Sequence, residues 1–185
     1  MHDTRSAIRY ARSLFLLALE RSEIEVVFAD MTLIGNTIRE NKELDNLLKS
    51  PIIKADRKIS ILNAIFKGKI GQLSNAFLEL LVKKRREMHV GQIARSFMQL
   101  YFENNGIEEA QLITAFPVDE EFRQTIIALV AKQTHQKVEL QETIDNTVIG
   151  GFVLRFGNKQ IDASISTEMA ELRREFEQNL YIKDY

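Results

Sequence analysis

The hydrophobic pattern of this chain changes its period once, at Gly106, and that change confines the fold to two unlike halves. From Thr4 to about Asn105 the apolar residues return at helical spacing, and the segments between them are short and marked by Asn, Gly or Pro. The spacing predicts helices near 4–20, 23–40, 43–49, 55–66, 72–87 and 89–104, with Pro51, Gly68, Gly71 and Gly106 as breaks. After Gly106, Ala110, Leu112 and Thr114 alternate with Gln111, Ile113 and Ala115, which is the period of a strand. The expectation is a mainly α protein: a six-helix bundle over 1–105, then a small α/β domain over 106–185.

Within the second half, Pro117 stops the first strand. Asp119 stands at an N-cap position with Glu120 and Glu121 in the first turn, where carboxylates complement the helix dipole, ahead of Phe122, Ile126, Leu129 and Val130. Val138 and Leu140 suggest a second strand. Phe152, Leu154 and Phe156 face Ile161, Ala163 and Ile165 across Gly157-Asn158, a pair suited to a tight hairpin turn. A closing helix carries Met169, Leu172, Phe176 and Leu180.

The 185 residues are 45% hydrophobic and 28% charged, enough apolar content for one sizeable core or two small ones. The net charge of −1 argues against affinity that rests on whole-surface charge, so nucleic acid is not an expected partner. That near-neutral total hides an asymmetry. Residues 1–105 hold 17 basic and 12 acidic groups, a net +5, and residues 106–185 hold 8 and 14, a net −6. Each half would attract a surface of opposite sign. No apolar run approaches the roughly 18 to 20 residues that cross a bilayer. Arg5, Arg9, Arg12 and Arg21 suggest a transit peptide, but Asp3, Glu20 and Glu23 spoil that composition.

Residues suited to catalysis are scattered. The absence of cysteine excludes disulfides, thiolate metal sites and thiol nucleophiles. His2, His89 and His135 stand far apart without metal-ligand spacing, and read as one terminal and two solvated histidines. Gly150-Gly151 lacks the context of a phosphate loop and reads as a bend where a strand begins. Glu120, Glu121 and Asp162 have no apolar pocket implied around them that would raise a pKa for acid-base work. The expectation is a non-enzyme with no metal and no cofactor. Lys83-Lys84-Arg85-Arg86 is read as closing a helix, where cations complement the dipole. The rival reading is a freestanding helical adaptor or RNA-binding protein that uses this run, although no aromatic residues interleave it for base stacking.

Two helices carry more apolar surface than one core needs. On a wheel, Ala7, Ile8, Tyr10, Ala11, Leu14, Phe15, Leu17, Ala18 and Leu19 fill an arc of roughly 200°, twice a minimal stripe, and Leu16 lies outside it. Ile70, Leu73, Ala76, Phe77, Leu78, Leu80, Leu81 and Val82 cover roughly 240°. Either both are central helices buried all round, or their surplus edges form a groove for an amphipathic partner helix.

The residues also carry a resemblance. The opening segment Ala7-Ile8-Arg9-Tyr10-Ala11-Arg12-Ser13-Leu14-Phe15-Leu16-Leu17-Ala18 resembles the first helix of the delta subunit of F-type ATP synthases, whose mitochondrial counterpart is the oligomycin-sensitivity-conferring protein. Leu47-Leu48-Lys49-Ser50-Pro51, followed by Lys58, Ile61 and Leu62, is similar to that family's "leucine-leucine, then proline, then lysine" stretch. Val138, Leu140, Ile144, Asp145, Val148, Gly150, Gly151, Phe152, Leu154, Arg155 and Gly157, continued by Ile161-Asp162-Ala163-Ser164, fit its C-terminal pattern. Ser13 departs from a residue usually small and apolar, and Lys83 to Arg86 from a stretch that more often carries a glycine beside one arginine.

The resemblance implies a stator joint. Residues 1–105 would sit on the catalytic head and receive the N-terminal helix of an alpha subunit between the first and fifth helices. Residues 106–185 would join the paired b-subunit stalk, so that proton-driven torque is coupled to ATP synthesis. The expected groove residues are Tyr10, Ser13, Leu14 and Leu17 with Ala76 and Leu80, while Gly150, Gly151 and Gly157 shape the backbone of the C-terminal domain. Because the family pattern begins at Ala7, the bacterial form is expected, peripheral on the cytoplasmic face of the inner membrane and bound to it only through the complex.

Overall fold

A computed structural model describes residues 2–178 of the chain. It divides into two compact units, the first ending at Asn104 and the second beginning at Asn105.

The first unit is built of six α-helices: α1 (His2–Glu20), α2 (Ile24–Glu40), α3 (Lys42–Lys49), α4 (Ala55–Phe66), α5 (Gln72–Lys83) and α6 (Val90–Asn105). Their apolar stripes meet in one core that includes Leu14, Met31, Ile34, Leu62, Phe66, Leu81, Ile93 and Phe97, each at most 2% exposed. Phe15 and Phe97 meet edge to face with ring centroids 5.7 Å apart. The links have local causes. Gly68 and Gly106 stand at φ +74° and +61°, where a side chain would be strained. Gly71 precedes α5, and its N–H donates to the buried carboxylate of Asp30 on α2 at 2.9 Å, which fixes where α5 starts.

The stretch that resembles the "leucine-leucine, proline, lysine" pattern makes a buried clamp. Lys58, 2% exposed, donates from Nζ to the carbonyl of Leu48 at 2.8 Å and to Glu87 Oε1 at 2.6 Å. Leu48 lies in the last turn of α3, where carbonyls lack intrahelical donors, so the lysine supplies one and Glu87 neutralises it.

Helix α5 ends at Lys83, a turn earlier than the expected 87, and the basic run does not close it as a unit. Arg85 adopts a left-handed φ of +56°, its N–H donates to the Val82 carbonyl, and the Arg86 N–H donates to the Leu81 carbonyl. This is a Schellman ending with arginine where glycine is usual. A 3-10 turn, Glu87–His89, then leads into α6. It buries His89 to 5% exposure, so this histidine is not solvated as expected; His135 is exposed.

The second unit is a four-stranded sheet in the order β2-β1-β3-β4. Strand β1 (Ile107–Thr114) pairs in parallel with β2 (Lys137–Ile144) through the crossover helix α7 (Glu120–Thr134), and antiparallel with β3 (Gly151–Phe156), which pairs with β4 (Lys159–Ser164). Asp119 caps α7 by accepting from the Phe122 N–H at 2.8 Å. Ala110, Leu112, Leu154 and Phe156 of the sheet pack on Ile126 and Val130 of α7. Leu129, expected on that face, is 41% exposed, outside the face that Ile126 and Val130 turn to the sheet.

The Gly157-Asn158 hairpin has the register Phe156↔Lys159, Leu154↔Ile161 and Phe152↔Ala163. Ile165 therefore has no strand partner; it opens helix α8 (Ile165–Gln178), its N–H bound to the Gly150 carbonyl at 3.0 Å. Met169 and Leu172 of α8 are 60% and 53% exposed, so these two residues of the closing helix face solvent. Of the other two residues assigned to it, Leu180 lies outside the described residues, and Phe176 falls within α8. No helix among the described residues is long and apolar enough to cross a membrane.

Candidate functional site

The two over-wide apolar arcs meet solvent along one shared edge. Buried Ala7, Ala11, Leu14, Phe15 and Ala18 take only the centre of the α1 arc, leaving Leu17 36% exposed on one margin and Ile8 and Leu19 on the other. On α5, Phe77, Leu78, Leu81 and Val82 are buried while Leu80 remains 43% exposed. Neither helix is buried all round. Between them lies a cavity of about 590 Å³ lined by Tyr10, Ser13, Leu14, Leu17 and Arg21 of the α1 side and by Gln72, Leu73, Ala76, Phe77 and Leu80 of α5.

All six residues expected from sequence at such a groove line this one cavity. Leu14 and Phe77 form its buried floor; Leu17, Ala76 and Leu80 are exposed along it. Ser13 fits because its hydroxyl donates to the Arg9 carbonyl one turn back at 2.9 Å, which satisfies the hydroxyl within α1. Arg21, Gln72, Leu73 and Phe77 were not singled out from sequence. Arg21 lies beyond the last turn of α1, where a wheel loses its meaning; Leu73 and Phe77 were placed in the second apolar arc but not at the groove, and Gln72 only begins that helix. A groove of this lining offers no reacting group; it can bury apolar side chains, each Leu-sized anchor contributing roughly 1.5 to 3 kcal/mol.

The glycines expected to shape the second unit lie at one end of β3 and in its hairpin. Gly151 stands at φ +75°, and a Cβ there would collide with the backbone carbonyl of Ala163 across the β3–β4 ladder. A Cβ on Gly150 would press on the Ile165 side chain, and Gly157 forms the hairpin turn at φ +50°. Nearby carboxylates have structural partners. Asp162 accepts from the Ser164 hydroxyl at 2.6 Å and the Ser164 N–H at 3.0 Å, bonds that hold its pKa below the usual aspartate value, as the Thr147 N–H and hydroxyl do for Asp145. No group of three or more acidic or histidine side chains among the described residues is arranged to hold a metal.

Residues 7–176 match the family described as ATP synthase delta (OSCP) subunit. The chain belongs to that family. It is 38% identical over 176 residues to the ATP synthase subunit delta of Cytophaga hutchinsonii, covering 95% of this chain and 96% of the relative. It is 35% identical over 182 residues to the subunit delta of Christiangramia forsetii, covering 98% of each. The fold is shared with a chain of the Toxoplasma gondii mitochondrial ATP synthase hexamer, at a TM-score of 0.72 and 21% identity, covering 94% of this chain and 98% of that one. Membership makes this chain a non-catalytic, peripheral-stalk subunit of an ATP synthase. The rival reading as a freestanding adaptor gives way to it.

Proposed function

We propose that this delta-family subunit is the joint that holds the catalytic head still against the rotor. The first unit receives the N-terminal helix of an alpha subunit in the cavity between α1 and α5. The second unit joins the paired b-subunit stalk, and torque from proton flow then acts on the catalytic sites instead of turning the head. The complex holds the chain at the cytoplasmic face of the bacterial inner membrane.

The observation that carries this reading is the coincidence of two independent things: the surplus edges of both apolar arcs, and one continuous cavity that those edges line. The site is suited to a helix, since it runs along two helices and is apolar through Leu14, Leu17, Leu73 and Leu80. Four or five Leu-sized side chains of a partner helix buried there exceed an association cost of roughly 4 kcal/mol or more and leave a stable joint. The exposed apolar residues of α8, Ile165, Met169 and Leu172, support a partner surface on the second unit as well.

The test is titration of the full chain with a peptide of the alpha-subunit N-terminal helix. Tyr10→Asp places a charge among apolar contacts and is expected to cost several kcal/mol of binding, about a hundredfold or more in Kd, with the bundle still folded by circular dichroism. Unchanged affinity of that variant refutes the groove assignment.

A further inference from the structure

The α1–α5 groove has two unlike ends. Helix α1 closes in a Schellman motif: Ser22 adopts a left-handed φ of +56°, its N–H donates to the Leu19 carbonyl at 3.1 Å, and the Glu23 N–H donates to the Ala18 carbonyl at 2.9 Å. Arg21 is the cap of that motif, so its backbone is fixed where α1 stops. Helix α2 follows at once, and α5 begins against its first turns: a Cβ on Gly71 would lie 3.5 Å from Val26 Cγ1 and 3.2 Å from Asp30 Oδ2. The last turn of α1 and the first turn of α5 therefore lie at the same end of the groove. Arg21 and Gln72 line that end, while Tyr10, about three turns back along α1, and Leu80 lie toward the other.

Arg21 is the one charged side chain that lines the groove among the described residues. It is exposed and meets no carboxylate within ion-pair distance among them. The buried Asp30 carboxylate behind this end is already engaged by the Gly71 N–H at 2.9 Å. A cation at the end of α1 complements the helix dipole, but that role does not require the guanidinium to border the cavity. An apolar groove by itself specifies poorly. An amphipathic helix that slides by one turn, or enters reversed, lays down much the same apolar stripe. A lone charge at one end removes that degeneracy, because the wrong register or direction covers it with apolar groups and leaves it unpaired. Arginine suits this role, since its planar fork holds a carboxylate by two parallel hydrogen bonds.

We infer that Arg21 sets the register and direction of the helix that enters this groove, by pairing with one carboxylate of that helix. The inference rests on the reading that the groove receives a partner helix and names the chemistry that helix must carry: an apolar stripe with an acidic residue at the end that lies over Arg21 and Gln72.

The experiment titrates the full chain with the alpha-subunit N-terminal peptide and with versions in which each carboxylate residue is replaced in turn by its amide. Arg21→Gln is expected to weaken binding about fivefold and Arg21→Glu about twentyfold, with melting temperatures unchanged. One amide peptide binds wild type about fivefold more weakly and binds Arg21→Gln as the parent peptide does, and lysine at that peptide position restores binding to Arg21→Glu. A spin label beside that carboxylate broadens the amides of Ser22 and Gln72 in wild type, and in Arg21→Gln the broadening spreads to Tyr10 and Leu80. Wild-type affinity and broadening in both Arg21 variants overturn the inference. Equal losses with every peptide, together with a lowered melting temperature, leave Arg21 a role only at the end of α1 and overturn it too. If Tyr10→Asp loses the peptide while both Arg21 variants hold it in place, the groove stands and the inference falls. If Tyr10→Asp binds as wild type does, or wild type does not bind the peptide, the groove reading falls and this inference with it.

Discussion

The two units of this chain bury their apolar residues to different depths, and the difference explains what each can offer a partner. Among the described residues, the bundle gathers 21 buried apolar residues into one core, and the α/β unit gathers 6. Beside that core, α1 and α5 leave Tyr10, Leu17 and Leu80 partly uncovered along the groove. The second unit depends more on ladders and on side chains that bond to nearby backbone, as Asp145 and Asp162 do, and its last helix shows an apolar face to solvent. One unit thus carries an apolar groove beside a large core, and the other an apolar helix face open to solvent.

The largest test of that contrast is Lys58→Met. It leaves the half-buried Glu87 without its counter-charge and the Leu48 carbonyl without its donor, and is expected to cost the bundle about 3 kcal/mol. Native-state hydrogen exchange checks it: protection is expected to fall throughout α3, α4 and α5 and to persist in β1 and β3. Equal losses in both units would mean that the units do not hold themselves together separately.

Acid gives the smaller and opposite perturbation. Hydrogen bonds to the charged forms of Asp145 and Asp162 hold their pKa below the ordinary value of 3.8. Their stabilising contribution is therefore fully present above that value and is lost as the pH falls through the depressed one. Amide exchange at Thr147, Ser164 and Thr167 is expected to speed up over that range, ahead of any change at the Lys58 clamp. If those amides keep their protection in acid well below the ordinary aspartate range, the carboxylates are not what holds the turns.

Periodicity made most of the architecture legible. The change at Gly106, the Asp119 cap, the two-residue hairpin at Gly157-Asn158 and the surplus arcs on α1 and α5 are local patterns, and local patterns survive into the fold. What the sequence hid was set by contacts between distant segments. The end of α5 depends on a left-handed Arg85, where no glycine announced a stop. The burial of His89 follows from the 3-10 turn that carries it, and Leu129 lies outside the Ile126 and Val130 face that meets the sheet. A wheel shows that α1 and α5 carry surplus apolar surface, and the family resemblance pairs the two helices; Arg21 and Gln72 are marked by neither, because they lie at helix ends.

The account stands most directly on where an alpha-subunit helix sits. Amide chemical-shift mapping of the labelled full chain during titration with the alpha N-terminal peptide decides it. The largest changes are expected on α1 and α5, at Tyr10, Ser13, Leu17, Ala76 and Leu80, with the Lys58 clamp undisturbed. Changes confined to residues beyond Asn105, or none at saturating peptide, would contradict it.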